Sequence, residues 1–231
     1  MPRETVARSR QHTVYKVNGV RVPGVTTILG KIDKPAIRVW ANKIGLEGIE
    51  IGKYTDGLAD IGTLAHEMIH DILVEKVTPL DDWTPNQIDA AQNCAIKFLE
   101  WSDQHEIDVV EAEHQMVSKT YRYGGTADII AWVDGVLGII DIKTSKAIYD
   151  EMAWQVAAYR QLAVENGYEG IQEARIVQVG RSEGEGFSVK HLSNFNLEQG
   201  WDVFVAALGL YEAIRDFKDP ENPGIATRKT T

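Results

Sequence analysis

Between Gly125 and Ser145 the chain runs Gly125-Thr126-Ala127-Asp128, an apolar stretch ending at Val133, Asp134-Gly135, a second apolar stretch from Val136, and then Asp141-Ile142-Lys143-Thr144-Ser145. Asp134-Gly135 is a two-residue hairpin signal, because such loops need positive φ at both positions. It sets Val133 opposite Val136, and five residues back along each strand it sets Asp128 opposite Asp141. Directly opposed residues of an antiparallel pair share a face, with Cβ atoms roughly 4.5–5.5 Å apart. Side-chain alternation adds Lys143 to that face. Two carboxylates this close, among Ile129, Ile130, Ile139 and Ile140, must share a proton or find a cation. One lysine is too little for two acids; a divalent ion with oxygen ligands answers the need. The ordinary alternative is a solvated Asp/Asp pair balanced by Lys143, and the isoleucines on both strands argue against it.

The elements around this hairpin follow from periodicity. Val14–Val17 and Val20–Val22 flank Asn18-Gly19, which predicts a small N-terminal hairpin closed by Pro23-Gly24. A helix is predicted from Asp33-Lys34-Pro35 through Ile44, a second over Asp60–Glu75 from its apolar spacing, and a third capped at Thr84-Pro85 and reaching Trp101. From Ile107 the period shortens. Strands are predicted over Ile107–Ser118, Tyr121–Val133 and Val136–Thr144, followed by a helix over Asp150–Asn166 that stops at Gly167. Two more strands, Ala174–Val179 and Phe187–Leu192, precede a helix capped by Asn196 and ending near Phe217. No repeat or linker interrupts this order, so the expectation is a single domain over 1–217 with a loosely ordered tail, 218–231. The predicted class is α/β, with a central mixed β-sheet flanked by helices and a helical N-terminal region.

Acid, hairpin, then Asp-x-Lys resembles the core of PD-(D/E)XK nucleases, whose fold is restriction-endonuclease-like, and Gly-Thr-x-Asp…Asp-x-Lys-Thr-Ser is similar to its RecB-type exonuclease branch. Gln155-Val-Ala-Ala-Tyr159 resembles the Gln-x-x-x-Tyr helix of that branch, and an i, i+4 pair does share a helix face. Gly62-Thr63-Leu-Ala-His66 resembles the upstream helix that brings a histidine to the metal. Glu113 stands where such proteins carry a further acid, with Glu111, on the same strand face, as the competing candidate. Phage and mitochondrial exonucleases of this type also open with a segment like Val22–Leu29 and a tryptophan where Trp40 stands. The resemblance spans about residues 22–165. It implies Mg²⁺ or Mn²⁺ held by His66, Asp128, Asp141 and the Ile142 carbonyl. It also implies that Lys143 orients water and stabilises charge, that Glu113 assists at the metal, and that Gln155 and Tyr159 hold the phosphate backbone or fix Lys143. The expected activity is hydrolysis of DNA at ends or in single strands, with a structure-specific endonuclease as the nearest variant. Cys94 is the single cysteine, so the iron–sulfur cluster of some members is excluded.

A rival motif overlaps this one. His66-Glu67-Met-Ile-His70 fits His-Glu-x-x-His, in which two histidines bind zinc and the glutamate is the base of a protease. Asp71 puts a charge directly after the second histidine, and the motif leaves the acidic hairpin unexplained. The net charge of −10 excludes a protein coated in basic surface. The first 53 residues nevertheless hold ten Lys and Arg, Arg3, Arg8 and Arg10 among them, against four acids. Lys34, Arg38, Trp40 and Lys43, with Lys146 after the catalytic strand, are the candidate DNA contacts. No apolar run is long enough to span a membrane and no secretory segment opens the chain, so a cytoplasmic protein with no membrane partner is expected.

Overall fold

The computed structural model describes residues 13–217; the basic residues Arg3, Arg8 and Arg10 and the tail 218–231 lie outside the described residues. Five strands form the main sheet in the order β3 (Ile107–Val117), β4 (Gly124–Val133), β5 (Val136–Lys143), β6 (Glu173–Val179) and β7 (Phe187–Leu192). Neighbours are antiparallel except β5 and β6, which are parallel. A parallel pair cannot be closed by a tight turn, so the chain crosses over through helix α5 (Asp150–Glu165). That single crossover makes the sheet mixed, as the strand and helix order predicts.

The two faces of the sheet are filled by different helices because each isoleucine pair splits between them. Ile130 and Ile139 pack with α1 (Val25–Leu29), α5 and α6 (Asn194–Asp216), around Tyr123, Tyr159 and Phe204. Ile129, Ile140 and Ile142 pack with α3 (Ile51–Leu73) and α4 (Pro85–Ser102), around Leu64, Ile69 and Phe98. Between α1 and α3 lies α2 (Pro35–Leu46), which has Pro35 in its first turn and no buried residue. An N-terminal hairpin, β1 (Tyr15–Val17) and β2 (Val20–Val22), turns at Asn18-Gly19 with φ of 50° and 78°. No described helix is long and apolar enough to cross a membrane.

Three boundaries and one additional helix depart from expectation. Helix α3 starts at Ile51 rather than Asp60: Glu50 caps it by accepting from the N–H groups of Gly52 and Lys53, while Gly52 and Gly57 thin out the apolar spacing there. Strand β4 starts at Gly124 rather than Tyr121, since Ser118–Arg122 closes a turn with Arg122 at φ 55°. The last helix is capped by Ser193, and Asn196 is its capping-box partner rather than the cap. The short helix α1 was not expected; its Val-Thr-Thr-Ile-Leu sequence is too brief to show a helical period.

Candidate active site

The hairpin register matches the counted one: Val133 pairs with Val136 and Ile129 with Ile140. The ladder ends there. At the next position Asp128 turns its carboxylate to the backbone of β5, accepting from the Ile142 N–H at 2.7 Å. Ile142 thus meets Asp128 through its N–H; its carbonyl, which the resemblance assigns to a metal, takes no part in this contact. Asp141 lies in the parallel pairing with β6, its side chain 1% exposed. Lys143 Nζ stands 2.7 Å from Asp141 Oδ2, yet neither carboxylate oxygen receives a well-directed hydrogen bond. A buried carboxylate left short of donors is the condition a bound cation relieves.

His66 reaches this point from α3. Gly62, one helical turn earlier on the same face, makes the approach possible: a Cβ there would stand 3.0 Å from Thr144 Oγ1 at the end of β5. His66 Nδ1 lies 3.5 Å from Asp128 Oδ1 and 3.9 Å from Glu113 Oε1. One ligand atom from each of His66, Glu113 and Asp128 lies within 4.8 Å of the others. These three side chains form a donor set suited to a hard divalent ion, with Asp141 bound to Lys143 beside them. His70, the second histidine of the zinc-protease motif, belongs to no such set among the described residues, and its Nδ1 is 3.3 Å from Asp71 Oδ1.

Glu113 enters the site by breaking strand alternation. Its φ is +50°, and the pairing of β3 with β4 shifts by one residue between Val109 and Glu111. The positive φ at Glu113, not the shift that precedes Glu111, separates the two glutamates, and the expectation that they share a face fails there. Glu111 instead accepts from the Tyr168 hydroxyl at 3.1 Å and lies 3.4 Å from His114 Nδ1.

The charges pull the acids apart. Burial opposes ionisation of Asp128, but His66, Lys143 and the Ile142 N–H outweigh it and hold its carboxyl below the ordinary value. Asp141 goes the other way: burial, reinforced by the Asp128 charge and only partly countered by Lys143, pushes it up to about 6. Burial and then Asp128 raise Glu113. Burial would discharge His66 and Lys143, yet the adjoining carboxylates raise both, so Lys143 stays cationic.

From α5, Gln155 Nε2 donates to the Tyr159 hydroxyl at 2.6 Å. Burial and then Asp141 and Asp128 push the Tyr159 phenol well above its usual range, which keeps it a neutral donor. Tyr15 and Thr126 were missed by sequence reasoning. The Tyr15 hydroxyl lies 2.8 Å from Thr126 Oγ1, two residues before Asp128, and its ring covers Gly124, where a Cβ would stand 2.3 Å from Tyr15 Cγ. The Gly124-Gly125 doublet was the available signal, since adjacent glycines in a strand mark close approach by another group.

The candidate DNA contacts are dispersed. Lys34 is bonded to Glu151 at 2.7 Å and Arg38 to Asp33 at 2.7 Å, and Trp40 packs on Tyr54 with ring centroids 6.1 Å apart. Lys34, Trp40 and Lys146 line one cavity; Arg38 and Lys43 do not line it.

No protein-family model and no curated protein matches the chain. Among solved structures it is similar to an exonuclease candidate from Eubacterium rectale, with a TM-score of 0.50, 8% identity, and coverage of 76% of this chain and 77% of that one. It also aligns with an alkaline exonuclease from Laribacter hongkongensis at a TM-score of 0.31 and 13% identity, over 70% of this chain and 89% of that one. At such identities the Eubacterium likeness speaks to the fold, an α/β mixed sheet flanked by helices.

Proposed function

We propose that the chain is a divalent-metal-dependent deoxyribonuclease that hydrolyses phosphodiester bonds at DNA ends or in single strands, with the residues of 1–217 acting as one domain. The observation that carries this reading is the convergence of His66, Glu113 and Asp128 on one point, next to a buried Asp141 whose carboxylate lacks directed donors. The exonuclease description of the Eubacterium neighbour agrees with it. Asp128, Glu113 and His66, with Asp141, would hold Mg²⁺ or Mn²⁺. Such an ion, when bound, lowers the proton affinity of water and offsets charge on the phosphate.

The remaining chemistry is this chain's own. Lys143 is cationic, so it donates to the phosphate oxygens or the attacking water and stabilises the charge that builds on phosphorus; it is not the base. Glu113, half exposed beside His66, would hold the ion directly or through a water. Tyr159, oriented by Gln155, offers a neutral hydroxyl toward the same phosphate.

Incubation of end-labelled and circular DNA with the protein, in Mg²⁺ or in EDTA, tests the activity: release of label in Mg²⁺ alone is expected. His66→Ala should lose that cleavage while His70→Ala keeps most of it. Equal loss of a peptidase activity in both variants, with DNA untouched, would instead establish the zinc-protease reading.

A further inference from the structure

The nuclease reading leaves unassigned a cavity of about 590 Å³ between α2, α3, the segment following β5 and the start of α5. Its volume falls in the range of small-molecule sites. Four aromatic rings, Trp40, Tyr54, Tyr149 and Trp154, line it. Trp40 and Tyr149 are 36% and 49% exposed, so their rings stand partly in water. Lys34, Lys146 and Arg181 also line the cavity, Arg181 paired with Glu185 through two hydrogen bonds of 2.8 and 2.9 Å. The acids that reach it are each tied to a base, Glu151 to Lys34 and Asp33 to Arg38, while Lys146 makes no ion pair among the described residues. Flat apolar faces together with one unpaired cation, Lys146, match a ligand that is both aromatic and anionic.

The cavity is lined by residues a few positions along the chain from the site. Lys146 follows Lys143 by three residues, a span of at most about 11 Å for an extended chain, and Trp154 precedes Gln155, which is bonded to Tyr159. A nucleobase within a duplex hides both faces in the stack; only an unpaired one offers them to Trp40 and Tyr149. We infer that this cavity takes one unpaired base of the strand whose phosphate lies at Asp128 and Asp141, which makes the substrate single-stranded at that nucleotide. The inference rests on the nuclease reading and deepens it, and it adds Tyr54, Tyr149, Trp154 and Arg181 to the contacts.

The test uses a single-stranded oligonucleotide carrying 2-aminopurine at one position at a time, titrated with the protein in Ca²⁺, with an abasic series in parallel. Emission should be quenched at one or two positions, and removal of the base there should weaken binding roughly 5- to 100-fold. Trp40→Phe should keep the quenching and Trp40→Leu should lose it. Uniform quenching along the strand, or a Trp40→Leu variant identical to wild type, would overturn the base pocket. So would equal quenching of a free 2-aminopurine nucleotide, which would make the cavity a mononucleotide site. Cleavage in Mg²⁺ that ignores abasic positions removes the pocket and leaves the nuclease standing. Position-specific quenching without any Mg²⁺-dependent cleavage removes the nuclease and leaves a strand-binding pocket.

Discussion

Asp128 and Asp141 look alike in sequence, yet the fold treats them oppositely, and their amides should therefore move stability in opposite directions. Asp128 is held ionised by His66, Lys143 and the Ile142 N–H, whereas Asp141 is held toward its neutral form. In EDTA at pH 8, Asp141→Asn should gain roughly 1–3 kcal/mol in denaturant unfolding and Asp128→Asn should lose a similar amount. Both should be inactive on DNA. Shifts of the same sign would contradict the assigned environments. The pH dependence follows with its sign. The folded value of Asp141 is about 6 against an ordinary 3.8. Between those values the folded state binds more protons than the unfolded one, so this group's contribution to metal-free stability falls as pH rises. His66, also raised, loses its contribution as pH climbs through its folded value, and Asp128, lowered, loses its own only as pH falls through its folded value. A cation must displace the Asp141 proton, so the rise in Tm caused by Mg²⁺ should be small at pH 5 and grow through pH 6 to 7. A Mg²⁺ effect flat across that range would argue that Asp141 takes no part in binding the ion.

At the level of elements, what decides the site is how closely backbones approach. A Cβ on Gly125 of β4 would lie 2.7 Å from Tyr159 Cε1 and 2.9 Å from Leu162 Cδ1 on α5, whereas one on Gly45 of α2 meets nothing within 4 Å. Gly125→Ala should cost about 1–3 kcal/mol by overpacking and depress cleavage by displacing Tyr159, while Gly45→Ala should gain up to about 1 kcal/mol from helix propensity alone. Thermal unfolding and turnover of the two variants provide the check; equal Tm values would contradict the packing of α5 on β4. The same contrast explains what was legible in the sequence. The β4–β5 register could be counted because a two-residue loop leaves no freedom in it, and the Thr84 cap and the α5 limits are local signals. The choice between Glu111 and Glu113 could not be made, since it depends on a positive φ at Glu113 that neither propensity nor alternation foretells. Nor could Tyr15, whose partners Gly124 and Thr126 lie more than a hundred residues away.

For the molecule as a whole, the question is how a chain of net charge −10 retains a polyanion. Two of the five expected contacts, Lys34 and Arg38, are already neutralised by Glu151 and Asp33. Few phosphates can then be met by unpaired cations, and binding of single-stranded DNA in Ca²⁺ should weaken with a log–log salt slope of about −2 to −4. A slope near −8 would require a far more extensive basic surface. Folding order follows from where the site residues sit along the chain. Asp128, Asp141 and Lys143 share one hairpin, so their contacts close early, whereas His66 arrives from a helix far upstream, after a long loop has been closed. The repulsion between the two acids thus precedes the histidine that relieves it. A divalent ion present during refolding should speed the final docking of α3 and leave hairpin formation unchanged, which stopped-flow refolding in Mg²⁺ and in EDTA would resolve as a faster slow phase beside an unaltered fast one.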